Sequence, residues 1–233
     1  MNPNELANQL KSIYADQLEA IILYGSAADG EFQKGYSDYN IIIVLKNLTP
    51  AEIVKSNGVV KKWVKAGNSL PLFFSRRIVG EAADVFPIEF FDIKERHRVL
   101  EGFDPFEEIE INPKNLRHQC EHELRSKLLS LRSRLAALAD SKKELIKLIL
   151  ESSSSFFAIF GGVARLAGLK PDTSKNALLK QLETLTGSSL AIFSEILELR
   201  NKTRAWKKED ALEKFEQYLT SIEAVVKYVN KEV

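Results

Sequence analysis

Four short apolar runs stand out in the first half of the chain, and each has the length of a β-strand. They are AIILYGS at 20–26, YNIIIVL at 39–45, LPLFFS at 70–75 and VFPIEFFDI at 85–93. The run at 39–45 is rich in β-branched residues and almost wholly apolar, which is typical of a buried strand. Pro87 stands near the start of the last run, a position that a strand tolerates. The pattern predicts a sheet of three strands, with 70–75 as a weaker fourth.

The segments between these runs show the spacing of apolar positions that marks amphipathic helices. Such segments lie at 4–16, 49–66 and 75–83, and a further helix is predicted at 94–100. Helices and strands therefore alternate through the first half of the chain. This order predicts a mixed sheet with helices flanking it, an arrangement of the α+β class.

The second half of the chain has a different pattern, because leucines repeat at helical spacing between residues 116 and 138. Asn112 and Pro113 provide a start for this helix, since proline is favoured at the first helical position. Further helical patterns follow at 141–169, 173–185, 188–204 and 208–231. Helices joined by short links predict an up-and-down bundle. The expected organisation is a mixed-sheet domain at 1–110, followed by an all-α helical bundle domain at 111–233.

Composition sets limits on the environment of the protein. The chain has 233 residues and a hydrophobic content of 45%, and both values are ordinary for a globular protein. Its single cysteine, Cys120, allows no internal disulfide, which favours a reducing compartment. No run approaches the length of about 18 apolar residues that a membrane-spanning helix needs, and the N-terminus lacks the apolar core of a signal peptide. These features predict a cytoplasmic protein that does not span a membrane.

Charge is distributed unevenly, although the formal net charge is only +1. Residues 1–110 contain 12 Lys and Arg against 17 Asp and Glu, whereas residues 111–233 contain 21 against 15. An acidic half beside a basic half is consistent with a metal-binding region next to an anion-binding region. Helices with charged, solvent-facing surfaces produce the same imbalance. Charge alone therefore leaves both interpretations open.

The stretch LYGSAADGEFQKGYSDYNIII at 23–43 carries the strongest chemical signal. Gly25 and Ser26 follow a predicted strand, and at a strand-to-helix turn they let backbone N–H groups and a hydroxyl approach a phosphate. Asp38 and Asn40 are two residues apart at the start of the next strand, so their side chains point to the same face. Two oxygen ligands in that arrangement can hold Mg²⁺ beside bound phosphates.

This motif resembles that of the nucleotidyltransferase superfamily, whose members include DNA polymerase β and kanamycin nucleotidyltransferase. In that family Gly-Ser is followed about ten residues later by two acidic residues at alternate positions, and a third carboxylate lies on a later strand. The corresponding residues here are Gly25 with Ser26, Asp38 with Asn40, and Glu89. The helical second half is similar to that of the antibiotic nucleotidyltransferases. The resemblance therefore covers both halves of the chain.

The resemblance implies a nucleoside triphosphate as substrate and Mg²⁺ or Mn²⁺ as cofactor. In that case Gly25 and Ser26 bind the β- and γ-phosphates of the nucleotide. The implied metal ligands are Asp38, Asn40 and Glu89. Asp38 and Glu89 are the implied catalytic carboxylates, with Glu89 as the general base for an acceptor hydroxyl. The acceptor stays unidentified, since an antibiotic, a protein hydroxyl and a nucleic-acid end all fit.

Two residues depart from the family pattern. Asn40 replaces the second acidic residue with a neutral amide, so the metal ions lose one anionic ligand. Asp29 stands where many relatives carry a basic residue near the phosphates. The metal site is therefore expected to be degenerate at Asn40. The sequence leaves open whether the protein is an active enzyme or a pseudoenzyme.

Two alternative functions follow from the same residues. One is a non-catalytic binding or regulatory protein on the same fold, which forms a homodimer or binds a protein partner through its helical domain. The other is a toxin–antitoxin component or ribonuclease, because Arg117 and His122 fit the Arg-x4–6-His pattern of the helical HEPN ribonucleases. That pattern is short enough to arise by chance.

Overall fold

The computed structural model describes residues 1–25, 27–28, 38–172 and 174–231. The backbone contacts divide the chain into two compact units, Met1–Asn112 and Pro113–Val233. The first unit combines a sheet with helices, and the second is helical. This arrangement confirms the predicted fold class, a mixed sheet with flanking helices followed by a helical region.

The strands of the first unit form one mixed sheet. They are β1 (Leu18–Tyr24), β2 (Asn40–Leu45), β3 (Leu72–Phe74) and β4 (His97–Gly102). Their order across the sheet is β3-β2-β1-β4, a sheet of 4 strands. β1 pairs antiparallel with both β2 and β4, and β2 pairs parallel with β3. The strands predicted at 20–26, 39–45 and 70–75 are confirmed.

Helices cover this sheet. They are α1 (Pro3–Tyr14), α2 (Pro50–Lys55), α3 (Asn57–Lys65), α4 (Arg76–Val85) and α5 (Pro87–Glu95). Asn2, Thr49 and Ser75 cap the starts of α1, α2 and α4, because each side chain accepts a backbone N–H of the first turn. The helix predicted at 49–66 is divided at Ser56, where α2 ends and α3 begins.

Both faces of the sheet are buried, since side chains alternate between the faces along each strand. Ile21 and Ile43 pack with residues of α1 and with Trp63 of α3 on one face. Ile42 and Val44 pack with residues of α4 and α5 on the other face. Burial on both sides explains why the runs that form β1 and β2 are almost continuously apolar.

The strand predicted at 85–93 is wrong, because this segment forms the helix α5. Its buried residues include Pro87, Phe90 and Ile93, which are three apart and so share one helical face. Pro87 fits the first helical turn, where its missing N–H removes no hydrogen bond. Glu89 also lies in that first turn, where its charge interacts favourably with the helix dipole.

The helix predicted at 94–100 is also wrong, because the fourth strand, β4, begins at His97. Val99 packs on the sheet face that α4 and α5 cover, and Leu100 packs on the opposite face. This alternation is a strand pattern, but it spans few residues and is interrupted by Arg98 and Glu101. Pairing with the buried strand β1 therefore determines the conformation of this segment.

The second unit is built from long helices. They are α6 (Pro113–Leu138), α7 (Lys142–Leu166), α8 (Lys175–Thr186), α9 (Ala191–Arg200) and α10 (Ala211–Lys231). α7 continues without interruption through Gly161 and Gly162, which are buried. Phe156 and Phe193 lie in a core of aromatic rings that also includes Tyr218. The helices predicted for this half of the chain are therefore present in the structure.

α7 is apolar over much of its length. By length and composition alone it could cross a membrane, but 56% of its most apolar window is buried within the structure. The central helix of a packed bundle combines the same length with the same burial.

Candidate functional site

β1 ends in a turn that depends on glycine. Gly25 has a φ of +77°, in the left-handed region that favours glycine. Its N–H donates to the carbonyl of Arg96 at 2.9 Å, and its carbonyl accepts the N–H of Ala28 at 2.9 Å. A Cβ at this position would lie 3.3 Å from Nδ2 of Asn40. The structure therefore brings the predicted glycine turn, called the Gly25 turn below (Gly25, Ala27 and Ala28), against Asn40.

The hydrogen bonds of the Gly25 turn refine the role that the sequence predicts for Gly25. Because its N–H already donates to Arg96, a phosphate bound at this turn takes its hydrogen bonds from other groups. Gly25 contributes a backbone conformation and the space left by a missing Cβ. Ser26, the predicted phosphate ligand, and Asp29, the acidic departure from the family pattern, both lie outside the described residues.

A row of polar side chains crosses the sheet beside this turn. Tyr24 pairs with Asn40 on one side and with His97 on the other. Directly opposed residues of antiparallel strands share a face, so the three side chains lie on the face covered by α4 and α5. Burial raises the pKa of the half-buried Tyr24 phenol, which therefore stays neutral. We call this set the Asn40–Tyr24–His97 row.

Asp38 precedes β2 and is exposed. Its Oδ2 accepts a hydrogen bond from the hydroxyl of Ser69 at 3.3 Å. The carbonyl of Ser69 in turn accepts the indole N–H of Trp63 at 2.8 Å, and Trp63 is fully buried. The ring of Tyr39, the residue between Asp38 and Asn40, lies 6.1 Å from the ring of Trp63. A buried aromatic residue thus helps to place the carboxylate of Asp38.

Asp38 and Asn40 supply one carboxylate and one amide oxygen, and both are hard donors of the kind that Mg²⁺ prefers. Together they carry a single negative charge, so they fit one divalent cation that keeps most of its water ligands. Within the part of the chain that the structure describes, no three His, Cys, Asp or Glu side chains form a group that could hold a metal ion.

Glu89 does not lie on a strand next to this pair, as the sequence pattern predicts, because it belongs to α5. The residue is exposed in the first turn of that helix. Phe90 and Ile93 of the same helix pack on the sheet face that carries Asn40. Glu89 therefore belongs to a helix that covers the same sheet face as Asn40. Its role as a metal ligand and base stays a prediction.

Two residues near the turn were missed by the sequence pattern. The ring nitrogen Nε2 of His97 lies 2.9 Å from Oδ2 of Asp104, and Nδ1 lies 3.0 Å from the carbonyl oxygen of Ile93. Both residues are largely buried, with 13% of the His97 side chain and 28% of the Asp104 side chain exposed. They lie on β4 and on the segment that follows it, where no helical or strand periodicity relates them, so no sequence pattern would have identified them.

The structure gives Arg117 and His122 separate environments. The guanidinium of Arg117 donates to Glu121 at 2.8 Å, within one turn of α6. His122 is 77% exposed on the same helix, and its Nδ1 lies 4.0 Å from a carboxylate oxygen of Glu123. Residues five apart on a helix do not share a face, so the ribonuclease pattern is not assembled within this helix.

Comparison with known proteins finds similarity among solved structures. No family model matches the sequence, and no curated protein matches it. Among solved structures, the chain is similar to spectinomycin adenyltransferase AAD(9) from Enterococcus faecialis, solved with ATP and spectinomycin, over 99% of each chain at 13% identity and a TM-score of 0.48. At this identity the match assigns no role to any residue of the present chain.

Replacing Gly25 with alanine is expected to cost about 1–2 kcal/mol, because an L-residue is strained in the left-handed region. The new methyl group also presses on the Asn40 amide, so nucleotide binding should weaken as well. Gly67→Ala is the matched control, since Gly67 has a φ of +90° and a Cβ there meets nothing within 4 Å. Urea unfolding and nucleotide titration of both variants make the comparison. Equal losses of nucleotide affinity would show that contact with Asn40 is irrelevant.

Proposed function

We propose that the first unit binds a nucleoside triphosphate together with Mg²⁺ and transfers its nucleoside monophosphate to a hydroxyl acceptor. The observation that supports this function is the closeness of the Gly25 turn to Asn40, where a Cβ on Gly25 would lie 3.3 Å from the Asn40 amide, with Asp38 at the entry to the same strand. A left-handed glycine turn next to oxygen ligands for a cation suits a polyphosphate, which needs close backbone approach and charge neutralisation. This arrangement of Gly25 and Asn40 supports the proposal.

Each residue has a defined task in this proposal. Gly25 keeps the turn open for the phosphates, and Ser26 donates its hydroxyl to them. Asp38 and Asn40 hold the cation, which stabilises negative charge on the α-phosphate and on the pyrophosphate that leaves. The acceptor oxygen bonds to the α-phosphorus as the bond to the bridging oxygen breaks. Glu89 accepts the proton that the acceptor hydroxyl releases.

Calorimetric titration with ATP, GTP, CTP and UTP tests the binding step, first with Mg²⁺ and then with Mn²⁺. Metal-dependent binding of at least one nucleotide is the expected result. Pyrophosphate release is then measured with acceptors of three kinds, namely aminocyclitol antibiotics, protein hydroxyls and nucleic-acid ends. Absence of binding to all four nucleotides with either metal would refute the proposed function.

A second candidate function is non-catalytic nucleotide binding. It is favoured by the position of Glu89 on a helix, since the sequence pattern predicts that the third carboxylate extends from a strand beside Asp38. A protein of this kind binds the nucleotide and releases no pyrophosphate with any acceptor. The two measurements above therefore separate the candidates, because binding is common to both and turnover belongs to the first alone.

Asn40→Asp is expected to tighten Mg²⁺ binding about tenfold, because it adds an anionic ligand next to Asp38. The substitution is nearly isosteric and leaves the pairing of residue 40 with Tyr24 in place. Asn47→Asp is the matched control, since Asn47 follows the other end of β2 and its side chain donates to Gln17. Metal titration in the presence of nucleotide measures both. Equal Mg²⁺ affinities of the Asn40→Asp variant and the unmodified protein would remove residue 40 from the metal site.

A further inference from the structure

We propose that His97 is a positioning residue for the Gly25 turn and thereby sets the affinity of the first unit for its nucleotide. The nucleotide part of this inference rests on the proposed function, whereas the positioning part concerns the turn itself. His97 is the first residue of β4, directly opposite Tyr24, and it follows Arg96, whose carbonyl accepts the N–H of Gly25. Any shift of the start of β4 therefore moves the acceptor that holds the turn.

The ring of His97 is held from two sides. Nδ1 faces the carbonyl oxygens of Ile93 at 3.0 Å and Lys94 at 3.2 Å, which lie in the last turn of α5. The carbonyl of Ile93 also accepts the N–H of Arg96 at 3.1 Å, so the ring adds a side-chain contact to the last turn of α5. Nε2 faces Asp104 at 2.9 Å, on the segment that follows β4. One imidazole thus ties the end of α5 to the chain on the far side of β4.

Asp104 and Phe106 complete this anchor. Oδ1 of Asp104 accepts the N–H of Phe106 at 2.8 Å, so the carboxylate is fixed by two hydrogen bonds. The fully buried ring of Phe106 lies 5.5 Å from the His97 ring and 5.7 Å from the ring of Phe90. The imidazole consequently has little freedom to rotate, and the backbone of residues 96 and 97 is placed with it.

The acceptors around His97 also suggest a conservative replacement. Backbone carbonyls and an ionised carboxylate only accept hydrogen bonds, so a ring with one N–H satisfies a single side. In Asp104→Asn, the amide oxygen can accept the N–H of Phe106 while the amide NH₂ donates to Nε2 of His97. This variant keeps the anchor without the carboxylate, whereas Asp104→Ala removes it. Comparing these two substitutions therefore separates the effect of the hydrogen bonds of residue 104 from the effect of its negative charge.

Amide hydrogen exchange at Gly25, followed by NMR on the full chain without ligand, tests the positioning directly. His97→Phe keeps the contact with Phe106 and removes the hydrogen bonds, so exchange of the Gly25 amide is expected to accelerate at least about tenfold. Asp104→Ala should act in the same direction, and Asp104→Asn should stay close to the unmodified protein. If His97→Phe fails to fold, the difference in Gly25 exchange between Asp104→Ala and Asp104→Asn still tests the positioning role of His97.

Leu6→Ala is the control for general destabilisation, because Leu6 is fully buried on the opposite face of the sheet. Relative to the amides of β1 in the same variant, the Gly25 amide should exchange faster in His97→Phe than in Leu6→Ala.

Nucleotide affinity is measured in the same set of variants. The dissociation constant for ATP with Mg²⁺ should rise about tenfold in His97→Phe and should equal that of the unmodified protein in Asp104→Asn. Exchange at Gly25 that matches the Leu6→Ala control would overturn the inference. If the unmodified protein binds no nucleotide, the proposed function fails, and the exchange rates alone decide the role of His97.

Discussion

Replacing Asp38 with alanine is expected to abolish metal-dependent nucleotide binding, with a loss of at least about 100-fold in affinity, or roughly 2.7 kcal/mol. Asp38 contributes the negative charge of the Asp38 and Asn40 pair, and without it the amide oxygen of Asn40 faces the cation alone. The fold should persist, since Asp38 is exposed and its hydrogen bond comes from the hydroxyl of Ser69 at 3.3 Å. Exposed positions of this kind change the free energy of unfolding by about 0.5 kcal/mol or less.

Two controls make the Asp38 result specific. Asp16→Ala removes the same charge from the same unit at an exposed position before β1, and it should leave nucleotide affinity unchanged. Ser69→Ala keeps the carboxylate of Asp38 and removes its hydrogen bond, so affinity should fall by about threefold or less. Calorimetry against ATP with Mg²⁺ compares the three variants. Binding by Asp38→Ala that equals binding by Asp16→Ala would place the metal site elsewhere.

Replacing Gly102 with alanine is expected to destabilise the first unit by about 4 kcal/mol, which is a large part of the stability of a domain. Gly102 ends β4 with a φ of +80°, and it pairs with Ala20 of the central strand β1. A Cβ at this position would lie 1.9 Å from the carbonyl oxygen of Glu19 and 2.9 Å from Cα of Ala20. Both are backbone atoms, so relief requires β4 to move away from β1.

Unfolding followed by tryptophan fluorescence measures this effect in the first unit. The chain has 2 tryptophans, so Trp206→Phe leaves the buried Trp63 as the reporter of the sheet unit. Gly67→Ala serves as the control, because it has a left-handed φ of +90° and open space around its Cβ. It should lose about 1–2 kcal/mol from strain alone. A Gly102→Ala variant no less stable than Gly67→Ala would contradict the close approach of β4 to β1.

The sequence predicted the central part of the first unit well, for a local reason. The runs at 20–26 and 39–45 are apolar on both faces, and their pairing as β1 and β2 follows from burying both. The position of the Gly25 turn was also readable, because a glycine directly after a buried strand signals a change in backbone direction. The spacing of Asp38 and Asn40 placed both at the entry to β2.

The segment from 85 to 102 could not be read in the same way. Its apolar residues fit a strand by composition, while the spacing of Pro87, Phe90 and Ile93 fits a helix. A short apolar run seldom decides between these periods, and the observed outcome depends on what covers the sheet. α5 buries Phe90 and Ile93 against the strands, and this leaves His97–Gly102 free to pair with β1.

In the candidate site too, some residues could be predicted from the sequence and others only from the tertiary structure. Gly25, Asp38 and Asn40 were identified from a motif whose members lie close in the chain, and the structure places the first and last of them so close that a Cβ on Gly25 would lie 3.3 Å from the Asn40 amide. His97 and Asp104 were not identified, because their hydrogen bond depends on the return of the chain after β4. The predicted role of Glu89 assumed a strand, so its placement on α5 leaves that role to experiment.

The sequence by itself thus determined the two-part organisation of apolar patterns, the central strands, the helices of the second half, the glycine turn and the position of Asp38 and Asn40 at the start of β2. Each of these depends on residues that are neighbours in the chain, where periodicity and turn chemistry act directly. Only the tertiary structure decided that 87–95 is a helix, that 97–102 is an edge strand and that His97 stands beside the Gly25 turn. These features follow from pairing and burial between distant segments, and local sequence does not encode such contacts.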